Sequence, residues 1–96
     1  MQFLTLLARH PDKANATVPP VLREAEFEIV RRYYADGFVR QIWLRGDAAG
    51  ACVIVEAGSI EEVAEKLDAL PLAREGFLQT QSIAPLQPYP GFAPRF

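Results

Sequence analysis

"FVRQIWLRGDAAGACVIVEA", residues 38–57, decides how this chain folds. Two runs rich in β-branched and aromatic residues, 38–45 and 51–57, flank the connector "GDAAG" (46–50), whose bracketing glycines suit a hairpin. The two runs are therefore expected to pair antiparallel. Simple alternation puts Phe38, Ile42 and Leu44 on one side of the first run and Val39 and Trp43 on the other, so both faces of the hairpin need cover.

Helical patterns lie on either side of this hairpin. Upstream, "LREAEFEIV" (22–30) opens a helix that runs to about Asp36, with Gly37 as a natural left-handed cap. Downstream, "SIEEVAEKLDAL" (59–70) begins with Ser59 and has Glu62 three residues later, a capping-box spacing, with Ile60, Val63, Ala64 and Leu67 at helical period. Pro71 should stop it. At the ends of the chain, "QFLTLLA" (2–8) reads as a strand buried on both faces, and "GFLQTQSIA" (76–84) alternates partially and reads as the last strand. "RHPDKANATVPP" (9–20) is a loop, and the proline-punctuated stretch 85–96 is not a strand.

The order β-α-β-β-α-β specifies an α+β, ferredoxin-like fold: one antiparallel sheet with both helices on one face. Residues 1–85 form this domain and 86–96 a proline-rich tail. A chain of 96 residues encloses one core. Half of its residues are apolar, which is high for a small monomer. Together with the bare second face of the sheet, this predicts a homodimer packed sheet against sheet, with Tyr89, Phe92 and Phe96 of the tail reaching the neighbour.

Composition excludes several classes. The net charge is −2 with no basic run, which argues against a nucleic-acid partner. No run approaches the roughly 20 apolar residues of a membrane span, so no membrane partner is expected. The single cysteine, Cys52, lies in an apolar run, reads as a buried inert thiol and suits the reducing cytoplasm, where we place the protein. No nucleophile elbow, phosphate-binding glycine loop or metal-ligand cluster is present, which argues against hydrolase, kinase and metalloenzyme classes, and no metal is expected.

One residue breaks the pattern of the first helix. At about 100° per residue, Leu22, Ala25, Ile29 and Tyr33 share an arc, and Glu26 falls inside it rather than opposite. A carboxylate removed from water has its charged form disfavoured and its pKa raised, which suits a general base that must return the proton it takes. The plain reading, a glutamate satisfied by backbone or by an arginine, stands beside it. Arg23, one turn earlier, could pair with Glu26 or hold an anionic substrate. Arg40, Gln41 or Trp43 could donate to a developing enolate, but Arg40 lies on one face of the strand and Gln41 with Trp43 on the other unless a bulge intervenes. Arg45 reads as structural. Tyr33 and Tyr34 divide between packing and the helix edge, and His10, with Asp12 beside it, is the histidine candidate.

"DGFVRQIWLRGDAAGACVIVEAGSIEEVAEKLDALPL" (36–72) resembles the muconolactone delta-isomerase family of dimeric α/β barrels. The shared features are a helix ending in glycine, a strand bearing Arg and Trp, a glycine-containing hairpin, a serine at the next helix start and the stretch Leu70-Pro71-Leu72. The resemblance covers residues 1–85. It implies a cofactor-independent isomerase that shifts a double bond in a lactone from aromatic breakdown, and dimers that stack into larger rings. It also implies Arg23 and Glu26 as the catalytic pair; the reading of the residues themselves adds Arg40, Trp43, Tyr33 and His10 as candidates toward the small-molecule substrate. Two departures stand out: Arg23 occupies a position where the isomerases resemble one another in having lysine, and "AREGF" (73–77) replaces an apolar-aromatic segment. Arginine cannot give up its proton at useful pH, so acid/base work at that position is lost. The rival reading is a non-catalytic module of the same fold that binds a small molecule or serves in assembly.

Overall fold

A computed structural model of the chain describes residues 1–91. The strands are β1 (Gln2–Arg9), β2 (Val39–Leu44), β3 (Gly50–Glu56) and β4 (Leu78–Pro85), and the helices are α1 (Pro20–Ala35), α2 (Ile60–Asp68) and the short α3 (Pro71–Arg74). All pairings are antiparallel, and the sheet order is β2-β3-β1-β4. This is the expected ferredoxin-like arrangement. No helix among the described residues is long and apolar enough to cross a membrane. Phe92 and Phe96, expected to reach a neighbour, lie outside the described residues.

Alternation in β1 sorts the layers. Phe3, Thr5 and Leu7 are buried beneath the helices, and the Thr5 hydroxyl is satisfied by donating to the Val53 carbonyl at 2.8 Å. Leu4 and Leu6 point the other way and are only half-buried, so β1 is covered on one face rather than two. Cys52 and Ile54 of β3 share that uncovered face and are also half-buried, so the cysteine is less enclosed than expected.

The core is lopsided. Val63, Leu67 and Leu70 close on Phe3, Val53 and Val55 beneath α2, where each fully buried aliphatic or aromatic side chain contributes roughly 1.5–3 kcal/mol. Ser59 caps α2 as expected, its hydroxyl accepting from the Glu62 N–H at 3.1 Å, while the Glu62 carboxylate reaches back to the Gly58 N–H at 2.9 Å. In α1, by contrast, Ile29, Val30 and Tyr33 of the C-terminal half pack on the core, whereas Val21 and Ala25 are exposed. The one buried residue of α1 is Glu26.

Several local features differ from the sequence reading, the last strand among them, since β4 runs from Leu78 through Pro85 rather than over 76–84. Val39 pairs with Val55 and Gln41 with Ile54, so Arg40 is the extra residue of a β-bulge. The bulge puts Val39 on the helix side of the sheet together with the exposed Ile42 and Leu44, where unbroken alternation would have put it beside Trp43. Pro71 ends α2 but also occupies the first turn of α3, a position where proline's missing N–H costs nothing. Finally, β1 extends through Arg9, one residue beyond the expected end.

Candidate active site

Because α1 is anchored by its C-terminal half, a cleft of about 450 Å³ remains between its middle turns and the sheet. Glu26, Phe27, Val30 and Arg31 of α1 form one wall. Ile42 and Leu44 of β2 form the opposite one, and Ala49, Gly50 and Ala51 line the start of β3. Leu72 of α3, with Arg9 and Leu78 at the adjoining strand ends, completes the lining. Gly50 is needed there: its φ is +150°, and a Cβ would stand 2.0 Å from the Leu7 carbonyl oxygen.

Glu26 is 8% exposed. The Leu72 N–H donates to its Oε1 at 3.0 Å, and no ion pair involves it among the described residues. Its other oxygen has no hydrogen-bond partner there and is not sealed from solvent. Burial pushes the carboxyl above the ordinary glutamate range, an effect the Leu72 N–H opposes. The anchor follows from local structure: α3 begins after Leu70, whose side chain makes no capping bond, so the first turn offers free N–H groups and Glu26 accepts one.

The other expected site residues are dispersed. Arg23 is exposed and outside the cleft lining, so the structure does not bring the expected pair together there. Arg40, at the bulge, is exposed and borders a different hollow with Tyr34 and Gly37. Trp43 is 62% exposed on the far face of the sheet, its indole N–H donating to Gln41 at 3.3 Å. His10 caps the 3-10 turn Pro11–Lys13, its Nδ1 accepting from the Asp12 N–H at 3.1 Å, again outside the lining. Tyr33 donates its hydroxyl to the Lys66 carbonyl at 2.9 Å and packs edge-on against Phe38, tying α1 to α2. It still senses the site: burial, and then the charge of Glu26, push its phenol above the ordinary range. Arg45 is structural as expected. It grips Asp47 through two bonds of 2.9 and 2.8 Å, holding that carboxyl down at about 2, and reaches Gln81 at 2.6 Å.

Arg9, Arg31, Ile42, Leu44 and Leu72 line the cleft but are not among the site residues expected from the sequence. Arg9 was within reach, since counting by twos from Phe3 through Thr5 and Leu7 leads to it. Leu72 was not, because its place depends on α3. A second hollow, of about 560 Å³, lies beside Met1, Gln2 and Leu86. Its one carboxylate, Glu56, is ion-paired to the N-terminal ammonium, which holds it below the ordinary range. The cleft under α1 is therefore the better candidate.

Neither a protein-family model nor a curated protein sequence matches this chain. Among solved structures, muconolactone isomerase superposes with a TM-score of 0.75 at 19% identity, over 100% of this chain and 98% of that one. A second is 5-chloro-2-hydroxyhydroquinone dehydrochlorinase from Burkholderia phenoliruptrix, in complex with 2,5-dihydroxybenzoquinone. Its TM-score is 0.64 at 17% identity, over 86% of this chain and 88% of that one. The described residues thus have the ferredoxin-like fold of muconolactone isomerase.

Proposed function

We propose that the protein is a cofactor-independent isomerase that moves a proton within a small carboxylated carbonyl or lactone compound of aromatic catabolism, with Glu26 as the base. The observation that carries this reading is a buried carboxylate with no cationic partner among the described residues, on the wall of a largely apolar cleft. Ligand sites of roughly 300–1,000 Å³ with few polar groups are the usual setting for small-molecule chemistry. In the proposed step, the free oxygen of Glu26 takes a proton from a carbon next to the carbonyl. The C–H electron pair becomes part of an enolate, the carboxyl proton exchanges with solvent because that oxygen is not sealed from it, and Glu26 returns a proton at the far carbon as the double bond shifts. The fold likeness adds support, since both neighbours are by name enzymes acting on small molecules and one was solved with a quinone.

The experiment is hydrogen exchange in D₂O with a panel of small carboxylated enol-lactones, followed by proton NMR. Wild type should exchange the activated C–H, and Glu26→Gln should fall by about 10²–10⁴-fold, the usual scale for loss of a general base. A Gln variant that exchanges as fast as wild type removes Glu26 from the mechanism.

The rival, a binding module without turnover, is favoured by the absence of Arg23, His10, Arg40 and Trp43 from the cleft lining. It predicts a ligand-induced thermal shift with no exchange. In either case the half-buried Leu4, Leu6 and Ile54, with exposed Trp43 beside them, give the uncovered sheet face an apolar patch that we assign to a second copy of the chain.

A further inference from the structure

We infer that Arg9 is the specificity-determining residue of the cleft, holding the carboxylate of the ligand while the ligand's apolar body lies toward Glu26. This rests on the reading of the cleft as a small-molecule site and extends it to a residue outside the expected set.

Arg9 ends the buried row of β1. Phe3, Thr5 and Leu7 precede it at alternate positions on the helix-covered face, so the next side chain on that face is a guanidinium at the cleft wall. Its Nε donates to the Lys13 carbonyl at 3.0 Å, one terminal nitrogen donates to the Ala16 carbonyl, and the group stacks 5.3 Å from the centre of the Phe77 ring. Every one of these partners is neutral. No carboxylate among the described residues pairs with Arg9. The other arginine of the lining, Arg31, is already engaged by Glu28 at 2.9 Å.

A guanidinium has five N–H donors, and here two are spent on backbone carbonyls that fix its orientation. The remaining donors suit a carboxylate, and the orientation is set before the ligand arrives, so little side-chain freedom is lost on binding. The one anionic group of the lining, Glu26, repels a second carboxylate, which gives a ligand a preferred direction: its anionic end at the strand terminus, its neutral end along α1.

The probes are 2-naphthoate and its neutral counterpart 2-naphthamide, titrated into the full-length protein by calorimetry. Wild type should bind naphthoate more tightly than naphthamide. Arg9→Gln should weaken naphthoate by about 10- to 100-fold, the scale of a hydrogen bond to a charged group, and leave naphthamide unchanged. Wild type that binds both equally or neither, or an Arg9→Gln protein that keeps the preference, overturns the assignment, as does equal weakening of both probes. Should Arg9→Gln not fold, the Arg9 Nε–H resonance of wild type, assigned through its absence in Arg9→Lys, must shift more with naphthoate than with naphthamide; a resonance that ignores naphthoate overturns the assignment. Failure of the functional reading is distinguishable, because Glu26→Gln should keep the naphthoate preference whether or not exchange in D₂O is lost.

Discussion

The backbone N–H of Leu72 donates to Oε1 of Glu26 across 3.0 Å, so the carboxylate of α1 caps the first turn of α3 with one oxygen and leaves the other for the cleft. This bond holds the side chain in place without supplying a full counter-charge, and the balance between burial and this N–H sets how Glu26 titrates.

A first prediction concerns stability against pH. The folded-state pKa of Glu26 lies above its unfolded value, so the native state binds this proton more tightly. Stability should fall as pH rises from the ordinary glutamate value of about 4.3 through the native pKa, and the full penalty should persist above it. Glu26→Gln keeps an oxygen for the Leu72 N–H and buries no charge, so it should melt at or above the wild-type temperature at pH 7–8. The advantage should vanish below about pH 4. Glu26→Ala strands the Leu72 N–H and should cost about 1–3 kcal/mol in urea unfolding.

Tyr33 separates support from chemistry. Its hydroxyl is committed to the Lys66 carbonyl and its ring to Phe38. Tyr33→Phe should lower stability by roughly 0.5–1.5 kcal/mol through the lost bond. Exchange in D₂O should be retained, and its loss in a folded Tyr33→Phe protein would return Tyr33 to the site.

Trp43 tests the uncovered sheet face. It is 62% exposed beside Cys52, whose other neighbour on that face is Leu6, where a partner sheet would cover it. Sedimentation at micromolar concentration should give a dimer for wild type and a monomer for Trp43→Glu, because a charge buried without a partner is costly. A monomeric wild type would leave that face without its proposed cover.

Much of the fold was legible because its signals are local. The glycine-bracketed hairpin, the Ser59–Glu62 cap and the Gly37 terminus each depend on a few neighbouring residues, and together they set the element order. The burial of Glu26 was legible too, from its place in the arc of α1. The Arg40 bulge was not, since it arises from pairing with β3 and shifts Val39 to the other face. The choice of lining residues also escaped, because it depends on α1 resting on its C-terminal half and on a short helix starting at the same proline that ends α2. Those are properties of packing between distant segments.

The central claim concerns the charge state of one carboxyl group, and carbon-13 NMR of the Glu26 side chain through a pH titration measures it directly, with assignment by Glu26→Gln. The account predicts a midpoint above that of the exposed glutamates in the same spectra. A midpoint within or below their range would mean that Glu26 is well solvated or paired, and would contradict its role as the base of the cleft.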